Sequence, residues 1–296
     1  MKTNKILQDT PIKKYQLSAG EVFVKREDLA CPPPGPPFAK VRGLLPTLTR
    51  LKQEGIQTVG YMETTVSMAG WGISYFCKKL DGLKAVIFVP KYTAPKDNQS
   101  YQFKKWKQFG AEIEWIDKPT RMQINFYKAR KILTKYPNSA MLPLGLSFVE
   151  TTHEVAKQVA LFNRKYESIV INIGSGTMAA GLLLGLSNLK MDSIVYGIFC
   201  APKDILKMHK KIFAAAKLSN APSSGGFNLL KKETVRLNLI DAGYEYTQKE
   251  EVECPFPCNP YYDRKAWAWL LKNYDNLKKP ILFWNIGSDY NLQKEN

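Results

Sequence analysis

Apolar and polar positions along the chain repeat one grammar. A short apolar run ends in a small or polar turn, which opens into a segment whose apolar residues recur every three to four positions. "IQTVGYME" passes through "TTVSMAGWG" into "ISYFCKKL", "LKAVIFVP" through "KYTAPKDN" into "SYQFKKWKQFG", and "AEIEWI" into "RMQINFYKARKILTKY". After "TTHEVAKQVALFNRKY" the series resumes with "SIVINIG", "SGTMAAGLLLGLSNL" and "SIVYGIFC". Strands alternating with helices at this spacing predict βαβ units with parallel pairing. The strands are rich in Val and Ile with little polar alternation, which suits sheets covered on both faces. The expected fold class is therefore α/β, with parallel-rich sheets flanked by helices. Ligands of such sheets sit outside the carboxyl ends of the strands, which directs attention to the turns "ETTVSMAGWG" and "GSGTMAAG".

Proline and glycine cluster at "YPNSAMLPLGLSF" after the third strand and helix, marking a seam. The length allows two compact domains or one large one. "LSNAPSSGGFNLL", residues 218–230, is expected to be a surface loop or lid.

Composition refines this picture. The chain has 296 residues, 45% of them hydrophobic, enough for a sizeable core. Its longest apolar runs fall well short of the roughly 20 residues of a membrane span, and its start lacks the apolar centre of a signal peptide, so a cytoplasmic protein with no membrane partner is expected. The five cysteines are scattered, and the two histidines, His153 and His209, are close to neither Cys254 nor Cys258, so no metal site is expected. Charge is the less ordinary feature: 43 Lys plus Arg against 26 Asp plus Glu give +17. That excess fits either a lysine-rich background or a polyanionic partner such as nucleic acid.

Candidate chemistry begins at "INIGSGTMAAG". Gly174, Ser175, Gly176, Thr177 and Met178 follow a buried strand and open a helix, where unhindered N–H groups, the helix end and two hydroxyls form an anion seat. A tight turn with glycine used only for packing is the alternative. The run lacks the Lys-Ser/Thr ending of a triphosphate loop and the third glycine of a dinucleotide loop, so the expected ligand is a phosphorylated cofactor other than ATP or NAD.

"VFVKREDLACPPPGPPFAKVRG" then resembles the fold type II pyridoxal-phosphate enzymes, the tryptophan synthase β-like superfamily, which carry a "KREDL" run followed by a lysine in a "K-x-R-G" setting. "LPLGLSFVETTHEVAKQV" and "NPYYDRKAWAWLLKNYDNLKKPILFWNIGS" extend the resemblance toward the branch of 1-aminocyclopropane-1-carboxylate deaminase and D-cysteine desulfhydrase. The resemblance implies pyridoxal 5'-phosphate as cofactor and Lys40 as its Schiff-base lysine and acid/base. It implies Gly174–Met178 as the phosphate seat, a large cofactor-binding domain of residues 1–45 plus 146–296 and a small substrate-clamping domain of residues 46–145. Ser67, with Met68, Ala69, Gly70 and Trp71, would take the substrate, and Tyr262 and Asp263 would sit under the ring, Asp263 at the pyridine nitrogen. A bare helix N-cap is the alternative for Asp263. A homodimer is implied as well.

The chain departs from that family where Met68 replaces the Asn expected after Ser67 and where Ile286–Ser288 replaces Thr-Gly-Gly, which points to a changed substrate. Lysines interleave with aromatics over Lys96–Phe109, Lys118–Lys135 and Lys207–Lys217. Lys104, Lys105, Trp106 and Lys107 are the candidate nucleic-acid contacts, cations for phosphates and a ring for stacking. The expected activity is that of a lyase, a decarboxylase or deaminase that breaks a bond at Cα of an amino-acid group carried on DNA or RNA, such as a hypermodified base. Viral routes to amino-acid-decorated thymines supply the precedent, and with it a host cytoplasm. A deaminase or desulfhydrase of free amino acids and an inactive nucleic-acid-binding relative remain the rivals.

Overall fold

A computed structural model describes residues 6–64, 66–91, 101–217 and 236–288; the expected lid at 218–230 lies outside them, as does the start of the first basic run. Contacts divide the chain into two compact units. One comprises Met1–Pro32, Pro37–Arg42 and Val149–Asn296, the other Pro33–Pro36 and Gly43–Phe148.

The first unit is built on a six-stranded sheet of β1 (Ile12–Leu17), β2 (Gly20–Arg26), β7 (Ser168–Ile173), β8 (Ile194–Phe199), β9 (Arg236–Ile240) and β10 (Ile281–Asn285). The order is β1-β2-β10-β7-β8-β9, parallel except for the antiparallel hairpin of β1 with β2. Every residue of β7 and β10 is buried, as a central parallel strand demands. Alternate side chains feed opposite layers. Ile169, Ile171, Leu182, Leu183, Val155, Val159 and Trp284 pack together on one face, whereas Val170, Ile281, Phe283, Trp267 and Leu270 pack on the other. The first face is covered by α5 (Val149–Val159) and α6 (Thr177–Asn188), the second by α8 (Asp263–Asn273). Gly181 brings α6 against α5 so closely that an added Cβ would lie 2.5 Å from the Cβ of Val155. Helix α7 (Ile205–Ala215) follows β8.

The second unit holds a four-stranded parallel sheet ordered β5-β4-β3-β6, from β3 (Thr58–Met62), β4 (Lys84–Pro90), β5 (Glu112–Ile116) and β6 (Ser139–Met141). Helices α2 (Ala69–Leu80), α3 (Tyr101–Gln108) and α4 (Met122–Leu133) connect these strands, and α1 (Val41–Gln53) leads into the unit. The α/β class with parallel sheets flanked by helices is thus what the periodicity predicts. Some strands escape it. The three residues of β6 lie inside the proline and glycine cluster of the seam, the β1–β2 hairpin precedes the repeating grammar, and β9 and β10 follow its last strand.

Candidate active site

The charged run Lys25–Asp28 is buried, against the rule that charges face water, and each charge is paired. Arg42 donates to Glu27 from Nε to Oε2 (2.5 Å) and from Nη2 to Oε1 (3.0 Å), while the hydroxyl of Thr10 also donates to Oε1. Arg26 grips Asp28 with two bonds of 2.8 and 2.6 Å, and Asp28 accepts a third from Nδ2 of Asn285. Lys25 donates to the carbonyl of Thr10 and to Oε1 of Gln158. This ionic block fixes the end of β2 to the first turn of α1, the turn that Lys40 precedes.

From the other side Lys40 is held through the backbone. Phe38 bridges to Gly287, and the N–H of Ala39 donates to the carbonyl of Ile286 (2.7 Å). The partly buried Lys40 amine donates to Oγ of Ser175 (3.2 Å), whose hydroxyl shares a 3.0 Å bond with that of Thr177. Burial pulls Lys40 down from the ordinary lysine range to about 8; Lys211 and Lys203 push the same way and Cys200 opposes them. The amine is therefore closer to its neutral, nucleophilic form at physiological pH than a surface lysine is.

The turn facing Lys40 has the shape of a cradle. Gly176 caps α6 in the left-handed region (φ +86°), and a Cβ there would strike Met208 and Ile212 of α7, so glycine is required. A Cβ on Gly174 would meet nothing within 4 Å, leaving room in front of the turn. Two hydroxyls, the N–H groups that open α6 and a lysine amine with a lowered pKa suit a phosphorylated aldehyde. Met178 contributes no side chain, for it is buried in the core.

Asp263 opens α8 and is buried, with Oδ1 accepting the N–H of Ile286 (3.0 Å) and Oδ2 that of Gly287 (3.1 Å). Burial pushes its carboxyl up to about 8 against the pull of those donors, and Asp28 adds to the rise. Since Ile286 also holds Ala39, Asp263 stands one residue removed from the backbone of Lys40. The hydroxyl of neighbouring Tyr262 bonds that of Tyr246 at 2.9 Å. Ser288 is buried, and its hydroxyl has no hydrogen-bond partner among the described residues.

The remaining expected residues lie in the second unit. Ser67 accepts the N–H of Ala69 (3.1 Å), and Met68, Ala69, Gly70 and Trp71 are buried at the start of α2. Sequence reasoning singled out the turn "ETTVSMAGWG" but assigned no role to the acid that opens it, Glu63, their main partner. Its buried carboxylate accepts the N–H of Thr64 (2.8 Å) and, by a short bond, that of Gly70. Burial lifts it to about 7, with Thr64, Gly70 and the Ser67 hydroxyl pulling it down.

One expectation needs correction. Trp106 is fully buried, its Nε1 2.6 Å from the point a Cβ on Gly70 would occupy, so it offers no surface ring for a base. Lys104 and Lys107 are exposed, and Lys105 is partly buried, lying over the rings of Trp71 (4.9 Å) and Tyr101 (5.0 Å).

Comparison with known proteins identifies the family. The family model described as pyridoxal-phosphate dependent enzyme matches residues 4–229. A protein of Pseudomonas phage M6 described as glycyl-dTMP PLP-dependent decarboxylase is 35% identical over 298 residues, covering 95% of this chain and 99% of that protein. Among solved structures, an ACC deaminase homologue aligns with TM-score 0.74 at 23% identity, over 95% of this chain and 90% of that one. A hydrogen sulfide-producing enzyme of Fusobacterium nucleatum aligns with TM-score 0.65 at 15% identity, over 96% of both chains.

Proposed function

The chain belongs to the family of pyridoxal-phosphate dependent enzymes, and from that premise we propose that it is a decarboxylase acting on a glycyl group carried on a thymine nucleotide. The observation that carries the reading is the Lys40 amine, of lowered pKa, hydrogen-bonded to the hydroxyl of the glycine turn. The 35% identity to the phage glycyl-dTMP decarboxylase, across nearly the whole of both chains, supports the substrate.

Gly174–Met178 are assigned to the cofactor phosphate, through the hydroxyls of Ser175 and Thr177 and the backbone N–H groups. Lys40 is assigned to the cofactor aldehyde, Asp263 to the pyridine nitrogen and Tyr262 to the ring. The cofactor, when bound, supplies an electron sink for the pair released at the substrate Cα. Loss of carbon dioxide breaks the bond from Cα to the carboxylate carbon and leaves that pair behind. The reaction closes when a proton reaches Cα, and Lys40 is assigned to deliver it as the acid. Ser67 and the turn Met68–Trp71 are assigned to the substrate, and the first and second units to cofactor and substrate respectively.

Exposed Lys104 and Lys107 are assigned to phosphates, of the nucleotide or of a DNA strand that carries it. No helix among the described residues is long and apolar enough to cross a membrane. The reading places the enzyme in the cytoplasm of an infected host, as a homodimer. The test is to incubate the cofactor-loaded protein with the glycyl nucleotide, measuring carbon dioxide release and the nucleotide mass. A mass loss of one carbon dioxide is expected. Ammonia released from free amino acids, with the nucleotide untouched, would replace this reading with that of a free-amino-acid deaminase.

A further inference from the structure

Helix α2 begins without a side-chain cap of its own, because the residue in the capping position is Met68. Its first N–H groups nonetheless have oxygen partners, Ser67 for Ala69 and Glu63 for Gly70. The Glu63 carboxylate comes from outside the helix, at the end of β3, and sits where N–H donors and the helix dipole favour an anion. A second observation marks the same spot. Nε1 of fully buried Trp106 has no partner among the described residues, and it lies 2.6 Å from the Cβ position of Gly70, where Oε2 of Glu63 lies 2.9 Å away. Carboxylate, N–H donors and an unused indole donor thus converge on one buried point.

We propose that Glu63 is a resident carboxylate filling the anion seat at the start of α2, so that a substrate's own carboxylate is not clamped there and is free to leave. The inference rests on the decarboxylase reading. Hydrogen bonds to a substrate carboxylate stabilise the ground state and are lost as the charge departs toward carbon dioxide. A clamp at this seat would therefore favour reactions that keep the carboxylate over the one that expels it. Glu63 is a specificity-determining residue that acts by denying the seat.

The test uses the cofactor-loaded full chain, wild type and Glu63→Ala, titrated with alanine and with ethylamine, the same amine without its carboxylate, while the cofactor absorbance is followed. Emptying the seat should tighten alanine at least tenfold relative to ethylamine, and formate should compete with alanine in the variant but not in the wild type. A merely structural role for Glu63 would move both amines alike, and an unchanged ratio overturns the proposal. With the glycyl nucleotide, the fraction of turnovers that release carbon dioxide should fall at least tenfold in Glu63→Ala; an unchanged fraction also overturns it. Should Glu63→Ala not fold, Glu63→Gln serves, since its amide N–H₂ cannot accept one of the two N–H groups. The alanine-to-ethylamine ratio must then shift in the same direction, and no shift is refutation. If the wild type releases no carbon dioxide from the nucleotide, the substrate reading fails, while the amine ratio still decides who occupies the seat.

Discussion

Replacing Glu27 with alanine should cost the protein a large share of its stability, although residue 27 touches no proposed substrate. The carboxylate is 0% exposed and Arg42 5%, and two hydrogen bonds join them. Without Glu27, Arg42 is a buried cation that has lost its carboxylate partner. Lys25, 3.7 Å from the same carboxylate, has an amine that burial already draws toward neutrality and can adapt. The cost therefore falls on Arg42, and breaking one side of such a pair is worth about 3–5 kcal/mol. Thr10 loses an acceptor as well. Set against the roughly 5–15 kcal/mol that holds a typical protein folded, the loss should appear as a clear shift in the urea midpoint. Replacing both partners by apolar residues, Glu27→Met with Arg42→Met, removes the stranded charge and should recover most of the loss. Urea unfolding of Glu27→Met, Arg42→Met and the double variant closes the cycle. A Glu27→Ala cost below about 1 kcal/mol, or a double-variant cost equal to the sum of the singles, would refute the account of this block. Because Arg42 lies two residues beyond Lys40, the folded fraction of Glu27→Ala should also hold its cofactor more loosely.

Cofactor uptake by the cofactor-free protein should rise with pH through a midpoint near 8, because only the neutral Lys40 amine attacks an aldehyde and its folded value is about 8; a stopped-flow absorbance profile with its midpoint near 10 would contradict this. Gly181→Ala forces a Cβ to within 2.7 Å of the backbone carbonyl oxygen of Thr152, which cannot swing aside, so calorimetry should show about 1–3 kcal/mol of destabilisation, and less than ~0.5 would mean that α5 and α6 have slack. If Lys104 and Lys107 each neutralise a phosphate, the pair Lys104→Glu and Lys107→Glu should lower the slope of log affinity for DNA against log salt by about 2, and an unchanged slope removes them from any such surface.

The sheets were legible because buried parallel strands must be continuously apolar, and "SIVINI" and "AVIFV" are. Lys40 and the Gly174–Met178 turn stood out as candidates because motif and strand-to-helix position coincide, and the structure brings the Lys40 amine to the Ser175 hydroxyl. Binary patterning gave no view of Lys25–Asp28 as a buried block, since it assigns charges to the surface and the partners Arg42, Gln158 and Asn285 come from distant segments. Trp106 was misplaced by its lysine neighbours. The inward set on α3 is Gln102, Phe103 and Trp106, a helical spacing that outweighs the basic run around it. Glu63 lies in a turn the sequence singled out, but its role was not legible, because its partner N–H on Gly70 is brought to it only by the turn between β3 and α2.

The central claim is that one lysine among many carries the cofactor. Borohydride reduction of the cofactor-loaded protein followed by peptide mass mapping tests it directly. A single pyridoxyl group on Lys40, absent from Lys40→Ala, is the predicted result; a pyridoxyl group on any other lysine, or none, would contradict it.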